Sequence, residues 1–205
     1  MFKSRLFIVL VLIGLTGCAR LASVVYPVNE DAFKVQSGDY VVDPSHATVI
    51  FGINHLGFST FYGRFETISG RLAFNAKDPA SSSVAIEIDT ASISTNSGPL
   101  DEELRASAMF DSENVPTASY VSTGITITGD KTGTLDGLLT IKEVTRPVQL
   151  LVTFGGSGTH PISGKKTVGF NAEGRFKRSE FGLDSWLPIV GDEVNLIIEA
   201  EFNRP

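Results

Sequence analysis

The chain is poor in the residues that cross-link or metallate small domains. Cys18 is its only cysteine, so no disulfide can form within one chain and no cysteine-based zinc cluster can be built. His46, His55 and His160 are the only histidines. His46 and His55 have opposite strand parity and His160 sits in a Gly-rich loop, so no shared metal is expected. Positive charge is also short. Lys and Arg number 17 against 23 Asp and Glu, a formal net charge of −6. That balance argues against nucleic acid, which demands a basic face. The Gly-x-Ser-x-Gly elbow of serine hydrolases is missing, and no catalytic residue is assigned.

What is present points to strands. The 205 residues are 42% hydrophobic and 20% charged, enough for one folded domain with a sizeable core. Glycine (20) and phenylalanine (14) are abundant, with many Thr and Val, which favours sheet over helix.

Residues 1–17, "MFKSRLFIVLVLIGLTG", open with Lys3 and Arg5 and continue as an apolar run from Leu6 to Leu15. The run is too short to span about 30 Å of hydrocarbon, and the three-part layout is that of a signal peptide. Leu15-Thr16-Gly17-Cys18 resembles the bacterial lipobox. The resemblance implies that Cys18 becomes the lipidated first residue of the mature chain, held at a membrane by its acyl chains. Ala19 follows rather than Asp, which in similar lipoproteins implies the outer membrane. The expected location is therefore the cell envelope, on the periplasmic face of the outer membrane. Loss of Lys3 and Arg5 would take the charge from −6 to −8. Residues 18–37 read as the lipidated cysteine and a tether, with a short strand at Ser23–Tyr26 as an alternative for part of it.

From Gly38 onward, alternation of period two recurs. Ala47, Val49, Phe51, Ile53 and His55 share a parity, as do Gly70, Leu72, Phe74 and Ala76, and Val194, Leu196, Ile198, Ala200 and Phe202. "TNSGPLDEELRASAMF" interrupts them. Pro99 near its start and Leu100, Leu104 and Ala108 at helical spacing predict a short amphipathic helix, with Asp101 in a solvated first turn. About eight hairpin-linked strands without a βαβ rhythm predict an antiparallel barrel or a sandwich.

The inward parity collects Phe51, Ile53, Phe65, Phe74, Ile86, Ile88, Val148, Leu150, Val152, Phe170, Leu196 and Ile198. Leu104, Ala108, Met109 and Phe110 are expected to close one end. This set suits either a dry, filled core or the wall of a ligand cavity, because an eight-stranded barrel can be filled by its own side chains or hold one guest. His55 shares the face, either paired to backbone or offered to a polar head group. Arg146 and Arg175 fall on the outer parity, as surface charge or as partners for an anionic head.

Several pieces in order carry a family resemblance. They are "YVVDPSHATVIFGINHLGFSTFYGRF", "LRASAMFD" followed by Pro116, "GLLTIKEVTRPV", "RSEFGLDSW" and "VGDEVNLIIEAEF". Over about Gly38 to Phe202 the chain resembles the YceI-like family of bacterial envelope proteins. The resemblance implies an all-β fold over residues 38–204, an eight-stranded antiparallel lipocalin-like barrel with one short helical insertion. It implies an elongated apolar cavity for a polyisoprenoid, a quinone or a similar long-chain lipid, and no catalytic constellation. On that basis the ligand-binding residues are expected to be Phe51, Ile53, His55, Phe65, Phe74, Ile86, Ile88, Leu104, Phe110, Leu150, Phe170 and Leu196. No cofactor is implied, and a homodimer is compatible with the family although no interface signal is seen. Two positions depart from the pattern: Glu143 replaces the usual turn glycine, and Ala47 replaces a serine. The alternative function is an envelope stress or interaction protein with a packed barrel.

Overall fold

The structure, a computed structural model, describes residues 27–205. Cys18, the signal segment and Ser23–Tyr26 lie outside the described residues. Ten strands follow in order: β1 (Gly38–His55), β2 (Ser59–Phe65), β3 (Ile68–Phe74), β4 (Ser83–Asp89), β5 (Ile93–Ser94), β6 (Thr117–Ile127), β7 (Thr132–Ile141), β8 (Val144–Thr159), β9 (Lys166–Lys177) and β10 (Val190–Asn203). Among the described residues there is one α-helix, α1 (Gly98–Arg105), between β5 and β6.

The ten segments make eight walls. The start of β1 pairs with β3 and its end with β2, so β2 and β3 are one bent strand running beside β1. In the same way β4 pairs with β3 and β5 with β2. From there β6, β7, β8, β9 and β10 follow as antiparallel neighbours, and β10 returns to β1 from Val41↔Asn203 to His55↔Val190. The sheet is closed, which removes exposed edges.

Period-two patterning places the side chains. Tyr40, Val42, Val49, Leu72, Phe74, Leu139, Val148, Leu150 and Phe154 are buried, while their strand neighbours are partly or fully exposed. Three glycines sit on the inner face where a neighbour's side chain lies across them. A Cβ on Gly63 would fall 2.8 Å from Cε1 of Phe51, and one on Gly174 would overlap Leu150. A Cβ on Gly137 would fall 2.7 Å from Cε1 of Tyr120 and closer still to its hydroxyl. The β7–β8 connection is a two-residue turn with Lys142 at φ 48° and Glu143 at φ 67°, the left-handed pair of a type I′ hairpin. That geometry favours glycine, which explains why Glu143 stands out in this turn.

The structure corrects three expectations. The helix stops at Arg105, and Ala108 is exposed beyond it rather than closing the barrel. Its end is pinned because Arg105 donates to the carbonyls of Ala91 (2.7 Å) and Ile93 (2.8 Å), after which the chain turns and Phe110 N–H bonds to Leu104 O (3.0 Å). Asp101 is buried rather than solvated, because its carboxylate accepts from Thr95 N–H (2.8 Å) and Thr95 Oγ1 (2.6 Å). The described part of the expected tether is docked on the barrel. Asn29 exchanges backbone bonds of 2.7 and 2.8 Å with Ser157, and Glu30 pairs with Lys131. Val35 is buried, and Ser37 Oγ accepts from Ala76 N–H at 2.9 Å. An apolar residue with a core to enter does not stay in a free linker.

Candidate functional site

The barrel has two ends. The lower one is closed by residues 27–37, with the β6–β7 turn and the β8–β9 loop beside them. The upper one carries α1, the segment to Pro116, the β1–β2 turn and residues 178–189. Between them the walls enclose a cavity of about 550 Å³, a size within the range of small-molecule sites. The interior is therefore not filled by its own side chains.

All twelve residues expected to contact a ligand lie along this cavity. Phe51, Phe65, Ile86, Ile88, Leu150 and Leu196 form its walls, Phe74 and Phe170 its lower part, and Leu104 and Phe110 its upper closure. His55 is at the upper rim and exposed, its ring tilted against Phe61 at 6.2 Å. Phenylalanines concentrate at both ends. Phe170 meets Phe74, Phe154 and Phe202 at centroid distances of 6.4, 5.6 and 6.2 Å below. Phe65 meets Phe51 at 5.9 Å and Phe110 edge-on at 5.5 Å above. Such rings give large apolar area in fixed geometry.

Polar groups along the cavity are mostly committed elsewhere. Tyr120 reaches across Gly137 to donate its hydroxyl between the carbonyls of Leu135 (3.0 Å) and Val148 (3.1 Å). Burial pushes this phenol far above its usual range, so it stays neutral. Arg178 is buried at the upper end. Its guanidinium donates to Gly191 O (2.8 Å), Ser185 O (2.7 Å), Val190 O (3.1 Å) and Leu183 O. Burial lowers its pKa, opposed by Asp192 and Asp184. The residue gathers the loop that carries Leu183, Trp186 and Val190 to the cavity. Arg146 and Arg175 are exposed on the outer surface. A lining of this kind orients a guest weakly and rewards carbon buried.

Sequence reasoning missed several lining residues. Ala32 and Phe33 belong to the supposed tether, while Tyr120, Phe154, Phe176 and Trp186 were not singled out. The aromatic type and inward parity of Phe154, Phe176 and Tyr120 were the signal that could have found them.

Among the described residues, one cluster has metal-ligand chemistry. Asp43, His46 and Glu201 bring ligand atoms within 4.8 Å of one another. It lies where β1 bulges, four residues facing Glu201 alone. Asp43 already accepts from His46 Nδ1 (3.1 Å), Asn203 Nδ2 (2.8 Å) and Ser45 N–H (3.0 Å). The His46 hydrogen bond holds the Asp43 pKa down, and the same bond, aided by Glu201, holds that of His46 up. The cluster therefore works as a pin for the bulge.

Comparison with known proteins agrees with the barrel. Residues 40–202 match the YceI-like domain. Protein YceI of Escherichia coli O157:H7 is 36% identical over 192 residues, covering 93% of this chain and 95% of the relative. The crystal structure of Burkholderia cenocepacia BcnA superposes with a TM-score of 0.71 at 26% identity, covering 78% of this chain and 98% of BcnA. A polyisoprenoid binding domain from Saccharophagus degradans shares the fold, with a TM-score of 0.61 at 13% identity, over 83% of this chain and all of that domain. The chain belongs to the YceI-like family.

Proposed function

We propose that the protein is a non-catalytic carrier for one long-chain apolar molecule, a polyisoprenoid, a quinone or a similar lipid. Cys18 ties it to the periplasmic face of the outer membrane. The observation that carries this reading is the continuous apolar cavity, its ionisable lining groups set chiefly at the ends. The polyisoprenoid binding domain of the same fold supports the ligand class.

The energetics suit a tail with little head-group recognition. Each buried methylene contributes about 0.8 kcal/mol. Ten of them give about 8 kcal/mol before the costs of ordering the tail, so micromolar affinity is the ceiling for ten and longer tails bind tighter. Specificity for the tail is accordingly loose, and sequestration or transfer near a membrane follows from a guest that water rejects.

Trp186 lines the cavity and is the only tryptophan, so its fluorescence reports occupancy. Titration with a series of alkyl or prenyl alcohols tests the reading. Affinity should rise about fourfold per methylene until the cavity is full. Leu150→Trp, read by competition, should weaken uptake while the barrel stays folded. An affinity independent of tail length rules the carrier out. Cys18→Ser should move the protein out of the membrane fraction, and retention with unchanged processing refutes the anchor alone.

A further inference from the structure

We infer that the lower end of the barrel is a docking surface for an anionic lipid bilayer, and that the β8–β9 loop seats in the head-group layer. Three observations meet there.

The loop presents an apolar tip on a built frame. Ile162 is 92% exposed. It is held out because His160 Nδ1 accepts from the amides of Ile162 (3.3 Å) and Ser163 (3.2 Å). The loop base closes through His160 N–H to Lys165 O (2.8 Å) and Gly164 N–H to His160 O (2.9 Å). Val28 and Phe33, 63% and 58% exposed, lie at the same end.

The loop itself carries charge of the right sign, while the rest of this end is mixed, with Glu30, Asp31 and Asp130 against Lys34 and Lys131, and with Asp43 and Glu201 around His46, whose ring lies 6.0 Å from that of His160. No Asp or Glu occurs from Gly155 to Ala172, and Lys165 and Lys166 follow the tip. An apolar tip beside lysines is what binds the interface of an anionic membrane. The upper end also exposes apolar groups, Phe58 at 86% and Ile189 at 63%. They share that end with Glu102, Glu103, Asp111, Glu113, Glu180 and Asp184, which outnumber Arg105, Lys142 and Lys177 there and which an anionic surface repels. Screening within about 8 Å makes the charges nearest the seated tip, Lys165 and Lys166, weigh more than the net charge.

The chain enters at this end. Pro27 lies at Gly158, the base of the β8–β9 loop. This third point rests on the anchor reading of Cys18. Nine residue steps from Cys18 to Pro27 reach at most about 30 Å. The 14 residues of β10, tilted as in a barrel, give a height of about 35 Å, so the upper end cannot be turned onto the membrane.

The test uses the full chain, processed in its host, with its cavity first filled by an unbrominated prenyl alcohol, and reconstituted into vesicles of phosphatidylethanolamine and phosphatidylglycerol that carry brominated acyl chains. Native Trp186 reports the upper end, and Ile162→Trp adds a reporter at the loop tip. Bromolipid should leave the native fluorescence unquenched and quench the added signal of Ile162→Trp. Replacing phosphatidylglycerol with phosphatidylcholine, or introducing Lys165→Glu with Lys166→Glu, should cut that quenching severalfold. Quenching of Trp186, or of neither reporter on vesicle-bound protein, overturns the inference. Whether high salt strips the protein from the vesicles reports the anchor separately. Stripping with loop-tip quenching beforehand removes the anchor and keeps the docking face.

Discussion

Gly137→Ala tests the inner wall at its tightest point. The new Cβ would fall 2.7 Å from Tyr120 Cε1 and closer to Cζ and the hydroxyl. Tyr120 cannot yield freely, because its hydroxyl is fixed by Leu135 O and Val148 O. Losing both bonds costs about 2 kcal/mol, and forcing the ring off its rotamer adds about 1 kcal/mol. Reduced backbone freedom of the unfolded chain returns about 0.5 kcal/mol. The net expectation is a loss of about 2.5 kcal/mol, read as a lower urea midpoint at unchanged slope. Tyr120→Phe alone should cost about 1–2 kcal/mol. In that background Gly137→Ala should cost only about 0.5 kcal/mol, since the hydroxyl and its bonds are already gone, leaving a coupling of about 2 kcal/mol. A strictly additive cycle, or a cost of Gly137→Ala below about 0.5 kcal/mol, refutes the clamp.

Two further outcomes follow from the surface. Glu143→Gly should stabilise the barrel by about 0.5–1 kcal/mol in urea titration, because the residue sits at φ 67° where an L side chain is strained. The His46–Asp43 pin should act in a defined pH window. The raised His46 pKa means its contribution is complete below about pH 6.5 and fades as pH rises through the folded value. The lowered Asp43 pKa means its contribution is present above about pH 4 and fades as pH falls further. His46→Gln should therefore lower the melting temperature more at about pH 5.5 than at about pH 9, and an equal loss at both contradicts the pairing.

Much of the fold was legible because period-two alternation encodes which face a residue takes, and a closed barrel has one inner face. Phe51, Ile53, Ile86, Ile88, Leu150 and Leu196 lie along the cavity for that reason. Whether that face met a guest or another side chain was not legible. Cavity volume depends on closure and on which rings cross which glycines, as Phe51 crosses Gly63 and Tyr120 crosses Gly137. Long-range polar pairings were equally hidden. Nothing local shows that Asp101 turns inward to Thr95, that Glu201 stands beside Asp43 and His46, or that Arg178 gathers four carbonyls. The docked segment around Val35 was misread because a few residues without periodicity look like a linker until the core that receives them is known. Leu138 and Leu151, apolar on the outer parity, remain exposed on the β6–β8 wall, Leu138 beside Val121 and Leu151 opposite Thr134.

The central claim is that the cavity holds an apolar guest. Native mass spectrometry of protein purified from its own source measures this directly. The account predicts a bound species of several hundred daltons that extracts into organic solvent and is displaced by an added prenyl alcohol. Protein that arrives empty and takes up no added long-chain lipid contradicts it.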